Sequence, residues 1–374
     1  MKKYIIVILF AFMLVNPCYG NMVYSDTKTF GQLVDLGIVE HDALNEASGI
    51  AMSRRYTDVL WSHNDSGDES RIYAMSMQGK HLGIFQLKNC EVIDCEDIAC
   101  GPGPVTNTSY IYLADMGDNK AKRKIKYIYR FQEPDIIQSI PKKIHWMNTF
   151  DRISFKYPDG MRDAETLFVE HHSRDLYIVS KREEQVGVYR LPYPPSTQTV
   201  NIVKKIAVLP LSWVVGGDIA PDGNELLIKT ESTVYYWKKD AQSSINTFFS
   251  TPNLLSVPYV QELQGEAICW FRHSMGYFTV SEEPWHIENS DAHLFFYPRL
   301  TILDINQDQR FDIADIMHCF ECIAGRKPLP DLPVLPDINH NGKLCIEELI
   351  YGIQMLIQHV TNELPQSDKP FIKE

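Results

Sequence analysis

The chain has 374 residues and a formal charge of -12, from 36 Lys and Arg against 48 Asp and Glu, with no long basic run; this argues against a nucleic-acid partner. Hydrophobic residues at 44% with 11% aromatics suit a globular fold, while 21 Pro and 20 Gly call for many turns and argue against a helix bundle. The length leaves room for one large core and a small appended module.

Lys2 and Lys3 precede an apolar run from Tyr4 to Val15, and Cys18-Tyr19-Gly20 stands before Asn21. That pattern predicts a secretory signal peptide over residues 1–20; a single membrane anchor, the alternative, needs a longer apolar run. No later stretch approaches about twenty apolar residues. The expectation is a secreted protein, extracellular or periplasmic, without integral membrane association after signal cleavage. Export permits disulfides, and Cys90, Cys95, Cys100, Cys269, Cys319, Cys322 and Cys345 would remain. The spacing of Cys90, Cys95 and Cys100 matches no zinc or thioredoxin arrangement and predicts a local disulfide, with buried thiols as the alternative.

From residue 46 to 296 the chain repeats itself. A small or polar residue, an acid and an apolar run recur around Glu46, Asp97, Glu165, Asp218 and Glu266, at intervals of 51, 68, 53 and 48 residues. Strand-like runs follow each, as at Val59-Leu60-Trp61 and Gly187 to Leu191, and fourth strands are predicted at 81–87, 153–157, 201–209 and 245–249. The last repeat lacks an outer strand, which residues 30–39 would supply, closing a ring. The period predicts an all-β domain, a five-bladed β-propeller, with six blades as the rival count because the 68-residue interval has room for another.

In a propeller the first strand of each blade lines the channel, so the five recurring acids would form a channel site. Like charges so placed require a cation, basic partners or water. Calcium or magnesium would suit them, and pairing with Lys181, Arg182 and Lys229 is the structural alternative. Polar loops after the second strands include His63, Asp65 and Glu282; His63 with Asp65 would suit a metal-assisted hydrolase, but no nucleophile elbow, zinc-protease helix or phosphate loop is present. Trp61, Trp237, Trp270 and Tyr277 are expected in the core, and Trp213 and Trp285 near loops are candidates to stack on carbohydrate.

The chain also resembles a family of bacterial extracellular proteins of unsettled activity over residues 30–300. The resemblance lies in Asp115-Met116-Gly117-Asp118-Asn119, Tyr157-Pro158-Asp159-Gly160 with Asp163-Ala164-Glu165, Leu176 to Arg182, Gly217 to Gly223 and Gly265-Glu266-Ala267. It implies a propeller and no particular chemistry.

Near the end, Asp304, Asn306, Asp308, Asp312 and Asp315 stand at positions 1, 3, 5, 9 and 12 of a twelve-residue loop, with the Arg310 carbonyl at position 7. A second loop, 33 residues on, offers Asp337, Asn339, Asn341, the Lys343 carbonyl and Glu348. This is the oxygen-rich spacing of a calcium loop. Helices are predicted after each, and Pro328, Pro330, Pro333 and Pro336 make a stiff connector. Loop-then-helix halves so joined resemble a type I dockerin, which implies a cohesin-like scaffold partner; an ordinary EF-hand pair is the alternative. Gln309 stands where glycine is expected and Cys345 replaces an oxygen donor.

These observations predict a propeller over 21–300, a small α-helical EF-hand or dockerin-like domain over 301–360 and a tail over 361–374. They point to a secreted calcium-binding protein with a binding or structural role. The rival readings are a metal-dependent hydrolase, phosphoesterase or lactonase-like, and a dockerin-bearing component that binds or degrades extracellular polysaccharide.

Overall fold

A computed structural model describes residues 23–25, 29–136, 143–250, 254–283, 291–300, 303–306, 311–328 and 344–363. The expected signal peptide, Trp285 and the tail beyond residue 363 lie outside them.

Short strands β1 (Val23–Ser25) and β2 (Val34–Ile38) come first. Blade 1 is β3 (Ala47–Met52), β4 (Val59–Asn64), β5 (Arg71–Ser76) and β6 (His81–Leu87). Next come β7 (Cys95–Pro102), β8 (Ser109–Asp115), β9 (Lys126–Gln132), β10 (Ile144–Met147) and β11 (Asp151–Lys156). Blade 3 is built from β12 (Ala164–Val169), β13 (Leu176–Ser180), β14 (Val186–Leu191) and, after β15 (Asn201–Ile202), β16 (Lys204–Leu209). Blade 4 comprises β17 (Val214–Ile219), β18 (Glu225–Thr230), β19 (Val234–Lys238), the short helix α1 (Asn246–Ser250) and β20 (Leu254–Val257). Finally β21 (Gly265–Trp270), β22 (Gly276–Ser281) and β23 (His293–Pro298) make blade 5, and α2 (Ile313–Ile323) and α3 (Ile346–Glu363) follow.

Each blade is an antiparallel meander, and β3, β7, β12, β17 and β21 contact one another in a closed ring. The protein is therefore a five-bladed propeller. The segment that had room for a sixth blade instead supplies β10, which pairs in parallel with β6, and β11, the outer strand of blade 2. β2 pairs with β23 and completes blade 5, β1 adds to β20, and β15 adds to β11. Borrowed strands thus cover outer edges that would otherwise present unpaired backbone.

Strand residues face the neighbouring blades alternately, because side chains point to opposite sides of a sheet with period two. Leu60 packs between blades 5 and 1 while its neighbour Trp61 packs between blades 1 and 2. Five apolar clusters fill the five interfaces, which is why the inner strands read as apolar runs rather than as alternating ones. Trp61, Trp237, Trp270 and Tyr277 are all buried in them.

Two local expectations differ from the structure. Residues 245–249 form a helical turn, not a strand: Ile245, Phe248 and Phe249 have the i, i+3, i+4 spacing that brings all three to the apolar cluster between blades 3 and 4. No disulfide joins the described cysteines. Cys95 and Cys100 lie on the single strand β7, about 3.3 Å per residue apart along it, far beyond the ~7 Å between Cα atoms that a bridge spans.

The two C-terminal helices enclose a small core of Ile305, Ile316, Cys319 and Leu349. Leu303, Phe311 and Tyr351 pack against the cluster between blades 5 and 1. Asp312 caps α2 in a reciprocal box with Asp315, and Gly325, with φ of 68°, ends it in the left-handed conformation that glycine adopts freely. Among the described residues no helix is long and apolar enough to cross a membrane.

Candidate functional site

All five inner strands share one irregularity. The pairing of each with the second strand shifts register near its start, between Ala47 and Gly49, Cys95 and Asp97, Ala164 and Thr166, Val214 and Gly216, and Gly265 and Ala267. A bulge leaves one residue unpaired and re-aims its side chain. The skipped residues are Ser48, Glu96, Glu165, Val215 and Glu266. Three of the five are glutamates, and their carboxylate oxygens lie within 4.8 Å of one another at one end of the channel. A second group, Asp65, Asp94 and Glu96, shares Glu96 with the first.

Lys181, at the end of β13, pairs with Glu165 and reaches Glu266 at 3.4 Å. Ser48 Oγ donates to Glu266 Oε2 at 3.1 Å. Burial disfavours a charged Lys181, but the Glu165 and Glu266 charges overcome it and hold the ammonium protonated. These partners leave Glu165 Oε2 buried without a hydrogen bond, although the residue is only 2% exposed. Asp65 Oδ1 is buried and unpartnered as well.

The surrounding cavity has a volume of about 370 Å³ and is lined by Asp65, Glu96, Glu165, Glu266 and Glu282 among its acids, with Lys181 as the basic lining residue. Burial, reinforced by Glu266 and other acids, pushes Asp65 up to about 7 and Glu282 up to about 8. Glu96 is driven well above the usual carboxylate range by burial and by Glu165 and Asp65. Lys229, deeply buried with Nζ donating to the Gly265 carbonyl and 4.8 Å from the Tyr259 ring centre, is lowered to about 8 by burial. Crowded hard oxygens with one ammonium among them form a donor set for a divalent cation such as calcium or magnesium.

Of the acids expected in the channel, Glu165 and Glu266 belong to this group and three do not. Glu46 lies before β3, exposed. Asp97, one residue past the bulge, turns into the blade interface, where it accepts from Ile98 N at 2.8 Å and Leu167 N at 2.7 Å. Asp218, three residues past the skipped Val215, accepts from Trp270 N at 2.9 Å. Glu96, Asp94 and Ser48 were not singled out from sequence. The signal available for Glu96 was Gly117 in the Asp115-Met116-Gly117-Asp118-Asn119 loop, whose missing side chain makes room for the Glu96 carboxylate.

That loop is a structural clasp between blades 2 and 3. Asp118 pairs with Lys126 at 3.0 Å, and its N–H donates to Asp163 Oδ1 at 2.7 Å. His63 is buried and held neutral, its Nδ1 on the Asn64 carbonyl at 2.7 Å and burial lowering it to about 4. Arg182 pairs with Asp163 and stacks over the exposed Trp213 ring at 4.9 Å.

In the C-terminal loops, Asp304, Asn306, Asp312, Asp315 and Glu348 are described, whereas Asp308, Arg310, Asp337, Asn339, Asn341 and Lys343 lie outside the described residues. Asp315 is fully buried and accepts from Asn306 N at 3.1 Å and Asp312 N at 2.8 Å. Glu348, 33 residues on, accepts from Cys345 N at 2.8 Å. The contact from position 9 to position 12 is the same in both loops.

No protein-family model matches the chain, and no curated protein does. Among solved structures, the Pan2 WD40 domain of Neurospora crassa is similar with a TM-score of 0.38 at 10% identity, covering 73% of this chain and 97% of that one. So distant a likeness bears on no function, and the propeller assignment rests on the sheet topology above.

Proposed function

We propose that this chain is a secreted, non-catalytic binding protein that holds a divalent cation at the acidic mouth of its channel and calcium in its C-terminal module. The observation that carries the reading is Glu165: nearly fully buried, beside Glu96 and Glu266, and with one carboxylate oxygen that no protein donor meets. An unmet buried carboxylate oxygen costs about 1–3 kcal/mol or more, and a hard cation removes that cost while offsetting the repulsion among the acids. A cation so placed leaves coordination positions facing the cavity, where an oxygen-rich ligand such as a glycan or carboxylate would complete the shell.

Docking to an extracellular scaffold is a second role, favoured by a duplicated apolar surface. Ile313, Met317 and Phe320 on α2, and Ile346, Ile350 and Ile353 on α3, are exposed by 39–62%, and each pair is 33 residues apart, the interval between the two acidic loops. The dockerin resemblance suggests a cohesin-like partner for this face. The overlapping second carboxylate group around Asp65 favours a metal-dependent hydrolase as the rival.

The test is calorimetric titration of chelator-treated protein with calcium, magnesium and manganese. Wild type should show a channel site that Glu165→Gln with Glu266→Gln abolishes and Asp315→Asn with Glu348→Gln leaves intact, plus calcium sites with the reverse dependence. Failure of the first pair to change any binding would overturn the channel site. Cation-dependent turnover of phosphate esters or lactones would replace the binding role with the hydrolase.

A further inference from the structure

The opposite mouth of the channel has the reverse charge. Arg54 lies just beyond the inner strand of blade 1, and Arg272 just beyond that of the adjacent blade 5. Both line a cavity of about 180 Å³ whose other walls include Met52, Cys100, Asp218, Pro221 and Trp270.

Neither guanidinium has an ion-pair partner among the described residues. Arg54 meets His171 Nε2 at 2.5 Å, and this imidazole is kept neutral by burial and by the Arg54 charge itself. Arg272 donates to the backbone carbonyls of Tyr56 at 3.0 Å and Ser53 at 3.5 Å, while its Nε is buried without any acceptor. Burial and the neighbouring Arg54 both work against its charge. Of the nearby acids, Glu133 accepts from Ser53 Oγ and from Trp61 Nε1 at 2.9 Å, while Asp218, which shares the cavity and feels the Arg54 charge, accepts from Trp270 N. Two guanidiniums facing the single Asp218 carboxylate around a small, largely apolar cavity, with a buried N–H unmet, leave an excess of positive charge for an anion to meet.

We infer that this cavity binds a small oxyanion, a carboxylate or phosphate on a short apolar body, with Arg54 and Arg272 as its charge partners and Met52, Pro221 and Trp270 against its body. The site is independent of the cation proposed at the other mouth.

The experiment is titration of the full chain at pH 7 with inorganic phosphate and, separately, with butyrate, in the presence of a chelator so that no bound cation reports. Saturable binding of either probe with Kd of about 1 mM or tighter is the expected result. Phosphate alone would identify a phosphate-type ligand, and butyrate alone an organic carboxylate. Arg54→Gln should weaken the responding probe by about tenfold, or roughly 1.4 kcal/mol, and Arg272→Gln likewise. Because Arg272 also ties down two carbonyls, Arg54→Gln, which loses the hydrogen bond to His171 and the charge beside Asp218 but frees no backbone carbonyl, decides the matter if the other variant does not fold. Absence of saturable binding by both probes, or unchanged affinity in folded Arg54→Gln, overturns the inference.

Discussion

Gly117 stands against the carboxylate of Glu96: a Cβ at position 117 would overlap Glu96 Oε1 and come within 2.5 Å of Asp94 Oδ2. Glu96 is the residue common to both carboxylate groups, so a backbone atom of the blade 2 clasp sets the position of the shared carboxylate. Gly117→Ala should therefore weaken divalent-cation affinity by tenfold or more, or at least about 1.4 kcal/mol, because misplaced ligands lose coordination geometry. Manganese titration followed by electron paramagnetic resonance reads this directly, and unchanged affinity would count against Glu96 as a ligand.

Adjacent residues Glu96 and Asp97 should behave oppositely. Asp97→Ala removes the acceptor for two buried N–H groups, one of them across the interface to blade 3, and should destabilise the fold by about 1–3 kcal/mol for each orphaned donor. Cation affinity in the folded fraction should stay as it is. Glu96→Gln, in contrast, should lose the cation and keep the stability of the chelated protein or raise it. Urea unfolding with and without chelator distinguishes the two; matching profiles would mean that the bulge does not set which acid faces the channel.

Lys181 should become dispensable when a cation is present. Replacing it with Met leaves the buried Glu165 carboxylate without its counter-charge, a change that typically costs about 3–5 kcal/mol. A bound divalent cation supplies the missing charge, so the Lys181→Met protein should melt well below wild type in chelator and recover most of the difference in millimolar calcium or magnesium. Equal loss under both conditions would show that no cation reaches Glu165.

The acidic mouth also predicts a pH dependence with a definite sign. Asp65 and Glu282 have folded-state values near 7 and 8, above their ordinary values of 3.8 and 4.5. A raised acid means that the folded state holds more protons than the unfolded one, so stability falls as pH rises between those limits. Chelated protein should lose thermal stability from about pH 4 to pH 8 through these groups, while cation affinity climbs over the same range as the ligands deprotonate. Thermal unfolding across this range checks both trends, and a stability rising steadily with pH in chelator would contradict them.

The propeller was legible because its inner strands are buried on both faces and recur along the chain, three of them, β7, β12 and β21, opening on a small residue and an acid. What spacing did not reveal was register. A one-residue bulge changes which side chain faces the axis, so Glu96 and Asp97 cannot be ranked by counting, and Asp218 imitates the motif from a later position on its strand. Residues 245–249 were ambiguous for a related reason, since five residues with two aromatics satisfy either period and only the location of the apolar cluster decides between them. In the C-terminal loops the calcium expectation rests on the sequence spacing of oxygen-bearing residues, since Asp308, Arg310, Asp337, Asn339, Asn341 and Lys343 lie outside the described residues.

The pairing of β1 with β20 and of β2 with β23 has a consequence for synthesis. β1 and β2 leave the ribosome more than two hundred residues ahead of the strands they pair with. Until those partners emerge, blades 1 to 3 can assemble in sequence while the ring stays unlatched, and closure joins contacts of very high sequence separation, a slow class of event. Premature termination inside blade 5 would thus strand the leading segment as well as the missing one, exposing adhesive edges at both ends of an incomplete circle.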